Sequence, residues 1–404
     1  MIPQLRKQYN EAFCEAQYEA MLDFIGHTWD HRPPFKVCET PVFAPVSLRD
    51  KLFEACEEIV DVLVSPDFKQ RTQGALKPEY VVPGEDAHTL FLQLDFGITR
   101  ASDGSLEPRL IEIQGFPSLY CYQDLVARAY RKFFPVPDDF SHLFNGLDSD
   151  SYIELLQQTI VGDEDPKHVV ILEVRPYDQP TLIDFLGTRA LLGTPIVCIS
   201  DVIVSGDKLY YRDESGRKVR IKKIYNRVIF DELMHRDVPR QFRFTEAYDV
   251  EYVGHPNWFF RISKYTLPLL RQCRYVPDSW YLDQVEALPE DLHNYVLKPL
   301  FSFSGTGVMI NFNKYDVDAI EDKSAYLLQR KVHYEPVIDT PDEPAKVEIR
   351  MLMLWPRGRR RPMLLNNLAR LSKGLMVGVR YNKDKRWVGG SVSFFPTQGA
   401  HTYS

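Results

Sequence analysis

No stretch of this sequence approaches the roughly 20 consecutive apolar residues that a membrane-spanning helix needs. There is no excess of positive charge either: 49 Lys and Arg stand against 56 Asp and Glu, a net of −7, so the overall field disfavours a nucleic acid as partner. The six cysteines (Cys14, Cys38, Cys56, Cys121, Cys198 and Cys273) form no CxxC pair, which argues against a zinc site or a disulfide framework and for reduced thiols in a cytoplasmic protein. Repeats and low-complexity segments are missing. The first 26 residues lack the apolar core of a signal peptide and instead space Leu5, Tyr9, Phe13, Ala16 and Met21 as one helix face.

What is present is an ordinary globular balance, 44% hydrophobic and 26% charged over 404 residues, enough chain for two or three domains. Residues 4–25 read as a single amphipathic helix. "SLRDKLFEACEEIVDVLV" reads as another, with Ser47 as its cap and Asp50 completing the capping box. "HTLFLQLDFGIT" and "RLIEIQGF" flank the turn "ASDGSLEP" and predict a hairpin. A loop-rich stretch at 135–150 marks a boundary. Beyond it "HVVILEV", "TLIDFLGTRALLG" and "TPIVCIS" make a β-α-β unit, which "KLYYRDESGRKVRIKKIYNRVIF" extends as a hairpin. From 275 onward strands dominate: "YVLK", "GVMI", "YLLQRKV", "VEIRMLML", "MLLNNLAR" and "MVGVR". The expected division is 1–150, 151–274 and 275–404.

Two constellations carry chemistry. In "VLKPLFSFSGTGV", Lys298 ends a strand and is followed by a loop in which Ser304, Gly305, Thr306 and Gly307 offer backbone N–H groups with little side chain in the way, a suitable cradle for phosphate. It is neither a Walker loop, since no GK[ST] follows, nor a dinucleotide fingerprint. Read alone, it is equally a tight hairpin turn with a snorkelling lysine. In "LQLDFGI" and "LIEIQGF", Glu112 and Gln114 share one strand face, and Asp95 lies across the hairpin. Two carboxylates and an amide oxygen suit Mg²⁺, although a solvated sheet face explains an isolated E-x-Q as well.

Together, and in this order along the chain, these motifs resemble the ATP-grasp superfamily. The early "EIQ" preceding the lysine and glycine loop is similar to the circularly permuted branch that includes glutathionylspermidine synthetases and eukaryotic-type glutathione synthetases. The resemblance implies an α+β ATP-grasp fold, antiparallel sheets with flanking helices, plus a small α/β domain. It implies an ATP- and Mg²⁺-dependent ligase joining a small carboxylate to an amine, with an amino acid, peptide or polyamine as substrate. Lys298 and the glycine loop would hold the phosphates. Gln329, with backbone atoms of Arg330 and Val332, would meet the adenine, and Asp95, Glu112 and Gln114 would hold the metal. Among Arg350, Arg370 and Arg380, one would stabilise the transferring phosphoryl group or clamp the substrate carboxylate, with Arg370, near Lys373, favoured; cross-strand ion pairing is the plainer fate of such arginines. The chain departs from the families in having Gln114 where they have Asn, and in lacking an acidic residue in the glycine loop, where Ser304 stands. The alternative reading is therefore a nucleotide-binding protein on the same scaffold that has lost the chemistry.

Three further features read as structural. "RGRRRP" falls between two strands as a hairpin tip. His27 and His31 lack a third ligand nearby. Cys121 reads as a buried, inert thiol.

Overall fold

A computed structural model describes residues 1–229, 233, 238–301, 305–378, 382 and 384–397. The chain is mixed α+β with several sheets. At its centre lies a five-stranded sheet in the order Gly389–Ser391, Met363–Ser372, Lys346–Leu354, Phe91–Arg100, Leu106–Gln114, with antiparallel neighbours throughout. Strands from both ends of the chain thus share one sheet. The strand alternation decides its faces: Leu92, Leu94, Phe96 and Ile98 turn to one side, Gln93, Asp95 and Gly97 to the other. The apolar side packs on the helix Val46–Leu63 through Leu48, Leu52 and Ile59, in a core that also takes in Ile113 and Met351. Burying that side leaves the polar residues of the same strands together on the opposite face.

The middle of the chain makes a parallel sheet in the order Glu251–Val253, Lys223–Asn226, Val169–Glu173, Ile196–Cys198, with the helix Leu182–Leu192 as the crossover. The expected hairpin divides: Lys208–Arg212 and Lys218–Ile221 join Ile203–Ser205 in a small sheet of their own, while Lys223–Asn226 enters the parallel sheet. A three-stranded sheet of Ser279–Tyr281, Tyr326–Arg330 and Tyr295–Pro299 carries Lys298.

Several local expectations are corrected. The first helix is two, Pro3–Ala12 and Glu15–Thr28, because Phe13 and Cys14 are extended. The Phe13 ring is instead seated between Phe134 and Trp387, with centroids 5.8 and 4.5 Å away. The cap of the next helix is Pro45, whose carbonyl accepts from the Leu48 and Arg49 amides, so Ser47 lies inside the first turn and caps nothing. "GVMI" contributes one isolated bridge, Leu297 with Met309, rather than a strand. The part of "MVGVR" that is described, through Gly378, is bent and not a strand. "RGRRRP" does join two strands, and two of its four arginines are ion-paired: Arg357 with Asp86 and Glu251, Arg361 with Glu57 and Asp61. Cys121 is buried, its sulfur accepting from the Thr188 hydroxyl at 3.4 Å.

Candidate functional site

On the polar face of the central sheet, register brings unlike charges side by side. Arg350 lies opposite Asp95 and Arg370 opposite Glu348 in the antiparallel ladders, while Asp95 lies opposite Glu112. Arg350 grips Asp95 with a fork, Nε to Oδ1 at 2.5 Å and Nη2 to Oδ2 at 2.7 Å, and sends Nη1 to the Gln93 Oε1 at 2.8 Å. Arg370 Nη2 reaches the second Asp95 oxygen at 2.7 Å and also bonds Glu348. The remaining Glu348 oxygen accepts from the Tyr334 hydroxyl at 2.8 Å. Burial pushes the Glu348 carboxyl up against the pull of Arg370, with Asp95 adding to the rise.

Gly97, opposite Glu348, makes room for this arrangement: a Cβ there would lie 2.8 Å from the Tyr334 ring. Gly97→Ala should therefore push Tyr334 off Glu348 and cost about 1–3 kcal/mol, as overpacking of a core does; urea unfolding of the variant measures it.

The lysines come from elsewhere in the fold. Lys298, on the small sheet, is buried and donates to the Ile111 carbonyl at 2.9 Å, tying the two sheets together. Burial lowers its pKa to about 8, against the opposing pull of Glu112. Lys264 opens a 3₁₀ turn, Lys264–Leu270, and its Nζ lies 3.1 Å from the Glu112 Oε1. Burial alone would raise the Glu112 pKa, but Lys264, Arg350 and Lys298 outweigh it and hold the carboxyl at about 2. Among the described residues four cations thus stand beside three carboxylates, an excess of one positive charge.

Gln114 follows Glu112 on the same strand face, and its Oε1 is buried without a partner. Both residues line a cavity of about 30 Å³ with Phe116, Lys264, Leu300 and Phe301, room for about one water. An orphaned amide oxygen beside a largely buried carboxylate on the same cavity wall fits one edge of a Mg²⁺ site, the remaining ligands coming from phosphate and water as is usual for this ion. Asp95, the third expected ligand, does not fit: both its oxygens are committed to arginines.

The other expected residues are placed as follows. Gly305 and Gly307 adopt left-handed φ values of +71° and +72°, which is where glycine is required, and a Cβ on Gly307 would meet Pro299 at 2.8 Å. A Cβ on Gly305 would meet Met376 at 3.3 Å, so the segment after Ser372 lies against the glycine loop. Thr306 is exposed. Ser304 and Arg380 fall outside the described residues. Gln329 is buried and donates to the Ser279 hydroxyl at 3.1 Å, a bond within the small sheet. Arg330 and Val332 line a cavity of about 860 Å³ with Thr99, Ala101 and Arg109. Lys373 turns away to Asp342, 2.5 Å off. Sequence reasoning missed Lys264 and Tyr334; the one available signal was a charged residue, Lys264, within the apolar run of "FFRISKYTLPLL".

No protein-family model matches the chain, and no curated protein does. Among solved structures, a glutathione synthetase-like effector from Globodera pallida, in its apo form, superposes with a TM-score of 0.58 over 94% of this chain and 96% of that one, at 10% sequence identity. The chain has a glutathione synthetase-like fold. At that identity the likeness concerns the fold alone. A Methylobacillus flagellatus protein assigned only provisionally as a gamma-glutamylcysteine synthetase, 11% identical over 85% of this chain and 86% of its own, reaches a TM-score of 0.37, too low to carry a fold argument. In this glutathione synthetase-like fold the charged face of the central sheet and the two buried lysines come together from four separate stretches of sequence. No helix among the described residues is long and apolar enough to cross a membrane.

Proposed function

We propose that the chain is an ATP-dependent carboxylate–amine ligase. The observation that carries this reading is the convergence of Lys264, Lys298, Arg350 and Arg370 beside Glu112 and Gln114, where the described residues leave one positive charge in excess, a setting that suits an anion. In the reaction, a carboxylate oxygen of the acid substrate attacks the γ-phosphorus of ATP and ADP leaves. The amine nitrogen then attacks the acyl carbon, inorganic phosphate leaves, and the amine gives up a proton. Lys298 and Lys264 neutralise the phosphates, and Mg²⁺ at Glu112 and Gln114 supplies further neutralisation when bound. Arg350 and Arg370, their planes fixed by Asp95 and Glu348, orient the transferring group or the substrate carboxylate without reorganising as charge moves. The glycine loop closes over the site and keeps water from the acyl phosphate. The substrates are a small amino acid, peptide or polyamine.

The second reading, a nucleotide-binding protein without chemistry, draws on the small space beside Glu112 and Gln114. A panel of amino acids, short peptides and polyamines, assayed for ADP release, separates the two. Ligase activity should appear as ADP formed in step with amide, and only when acid and amine are both present. Nucleotide binding with no ADP release across the panel would favour the second reading.

A further inference from the structure

The three carboxylates of the charged face are not equivalent. Asp95 is 1% exposed, and its two oxygens accept three guanidinium N–H bonds from Arg350 and Arg370. Glu348 is 4% exposed, with one oxygen on Arg370 and the other on Tyr334. Withdrawing Asp95 to serve a metal would strand the buried Arg350 guanidinium, which is costly, and withdrawing Glu348 would break its bonds to Arg370 and Tyr334. Glu112 differs: its side chain is 27% exposed on a cavity wall, and its ion pair is with an ammonium, Lys264 Nζ at 3.1 Å, rather than with a guanidinium fork. Beside it the Gln114 oxygen has no partner at all. Among the described residues no group of three or more Asp, Glu, His or Cys side chains is placed to hold a metal.

We infer that this nucleotide site is built for one divalent cation, held among the described residues by Glu112 and Gln114, and that Asp95 and Glu348 are counter-ions of the arginines rather than ligands. The inference rests on the nucleotide-binding reading. It assigns to Lys264 and Lys298 the phosphate neutralisation that a second metal ion would otherwise supply.

Mn²⁺ is the probe, titrated into the full chain saturated with a non-hydrolysable ATP analogue, with free Mn²⁺ followed by electron paramagnetic resonance. One tightly bound Mn²⁺ per protein–nucleotide complex is expected. Glu112→Gln should weaken that Mn²⁺ by about tenfold or more, about 1.4 kcal/mol. Asp95→Asn, which keeps one acceptor oxygen for the arginines, should leave the count at one. Two ions per complex in the unaltered chain, or an unchanged Mn²⁺ affinity in Glu112→Gln, overturns the inference and leaves the functional reading standing. Failure to bind the analogue with or without metal overturns both.

Discussion

Lys298→Ala should lower ATP affinity by about tenfold or more and yet leave the nucleotide-free protein as stable as before, or more so. The first half follows from losing a charge-assisted contact to phosphate, typically about 1.5–3 kcal/mol, with 1.4 kcal/mol corresponding to tenfold. The second half follows from burial. Lys298 is enclosed, and its pKa falls from 10.5 to about 8, so the empty site holds this ammonium at a cost. Between pH 8 and 10.5 the unfolded chain binds the proton that the folded chain has given up, so the unaltered protein should gain stability as pH rises through that window. Lys298→Ala should lack this rise. ATP binding draws the proton back, so affinity should weaken above about pH 8 in the unaltered chain and lose that dependence in the variant. Calorimetric ATP titrations and apo melting curves, each across pH 7–10, test all of this on one pair of proteins. If ATP affinity were the same in both, the lysine would be a structural tie between sheets through Ile111 and nothing more.

Asp95→Ala should have the largest effect on stability, about 3–5 kcal/mol, because it leaves the buried Arg350 without its counter-ion and takes from Arg370 one of its two carboxylates. That is a large part of the about 5–15 kcal/mol by which domains are ordinarily stable, so the yield of folded protein should fall as well. Asp95→Ala combined with Arg350→Met should recover part of the loss, since the second change removes the stranded charge; a denaturant double-mutant cycle measures the coupling. A loss below about 1 kcal/mol, the scale of a solvated ion pair, would show that water reaches this face and that the arginines are not held as described.

The uneven legibility of the site has a physical cause. The hairpin carrying Asp95, Glu112 and Gln114 was readable because strand alternation is local, and the β-α-β unit because its apolar runs and its helix are contiguous. The partner of Asp95 was not readable: Arg350 lies 255 residues further on, and only the strand order of the central sheet makes them neighbours. Asp95 was accordingly expected at a metal. The same holds for Lys264, whose meeting with Glu112 depends on how a 3₁₀ turn packs against a strand. The break at Phe13 was invisible because it follows from where Phe134 and Trp387 end up. Ser47 fitted a local capping rule, but the helix begins one residue before it, at Val46, with Pro45 in the cap position and no side-chain cap.

Because the central sheet takes strands from both ends of the chain, it has consequences for synthesis as well as for chemistry. The aspartate strand leaves the ribosome with one edge waiting for Lys346–Leu354. At about 5–20 residues per second, 255 residues take roughly 10–50 s. For that interval Phe91–Arg100 presents an open hydrogen-bonding edge and an uncompensated carboxylate, the condition under which strands pair with the wrong neighbour. The middle segment, with its parallel sheet closed by local crossovers, can form during the wait. A nascent chain arrested before Arg350 should therefore occupy chaperones far more than one arrested just beyond Ser372, where the last long strand of the sheet has emerged and the charges can cancel.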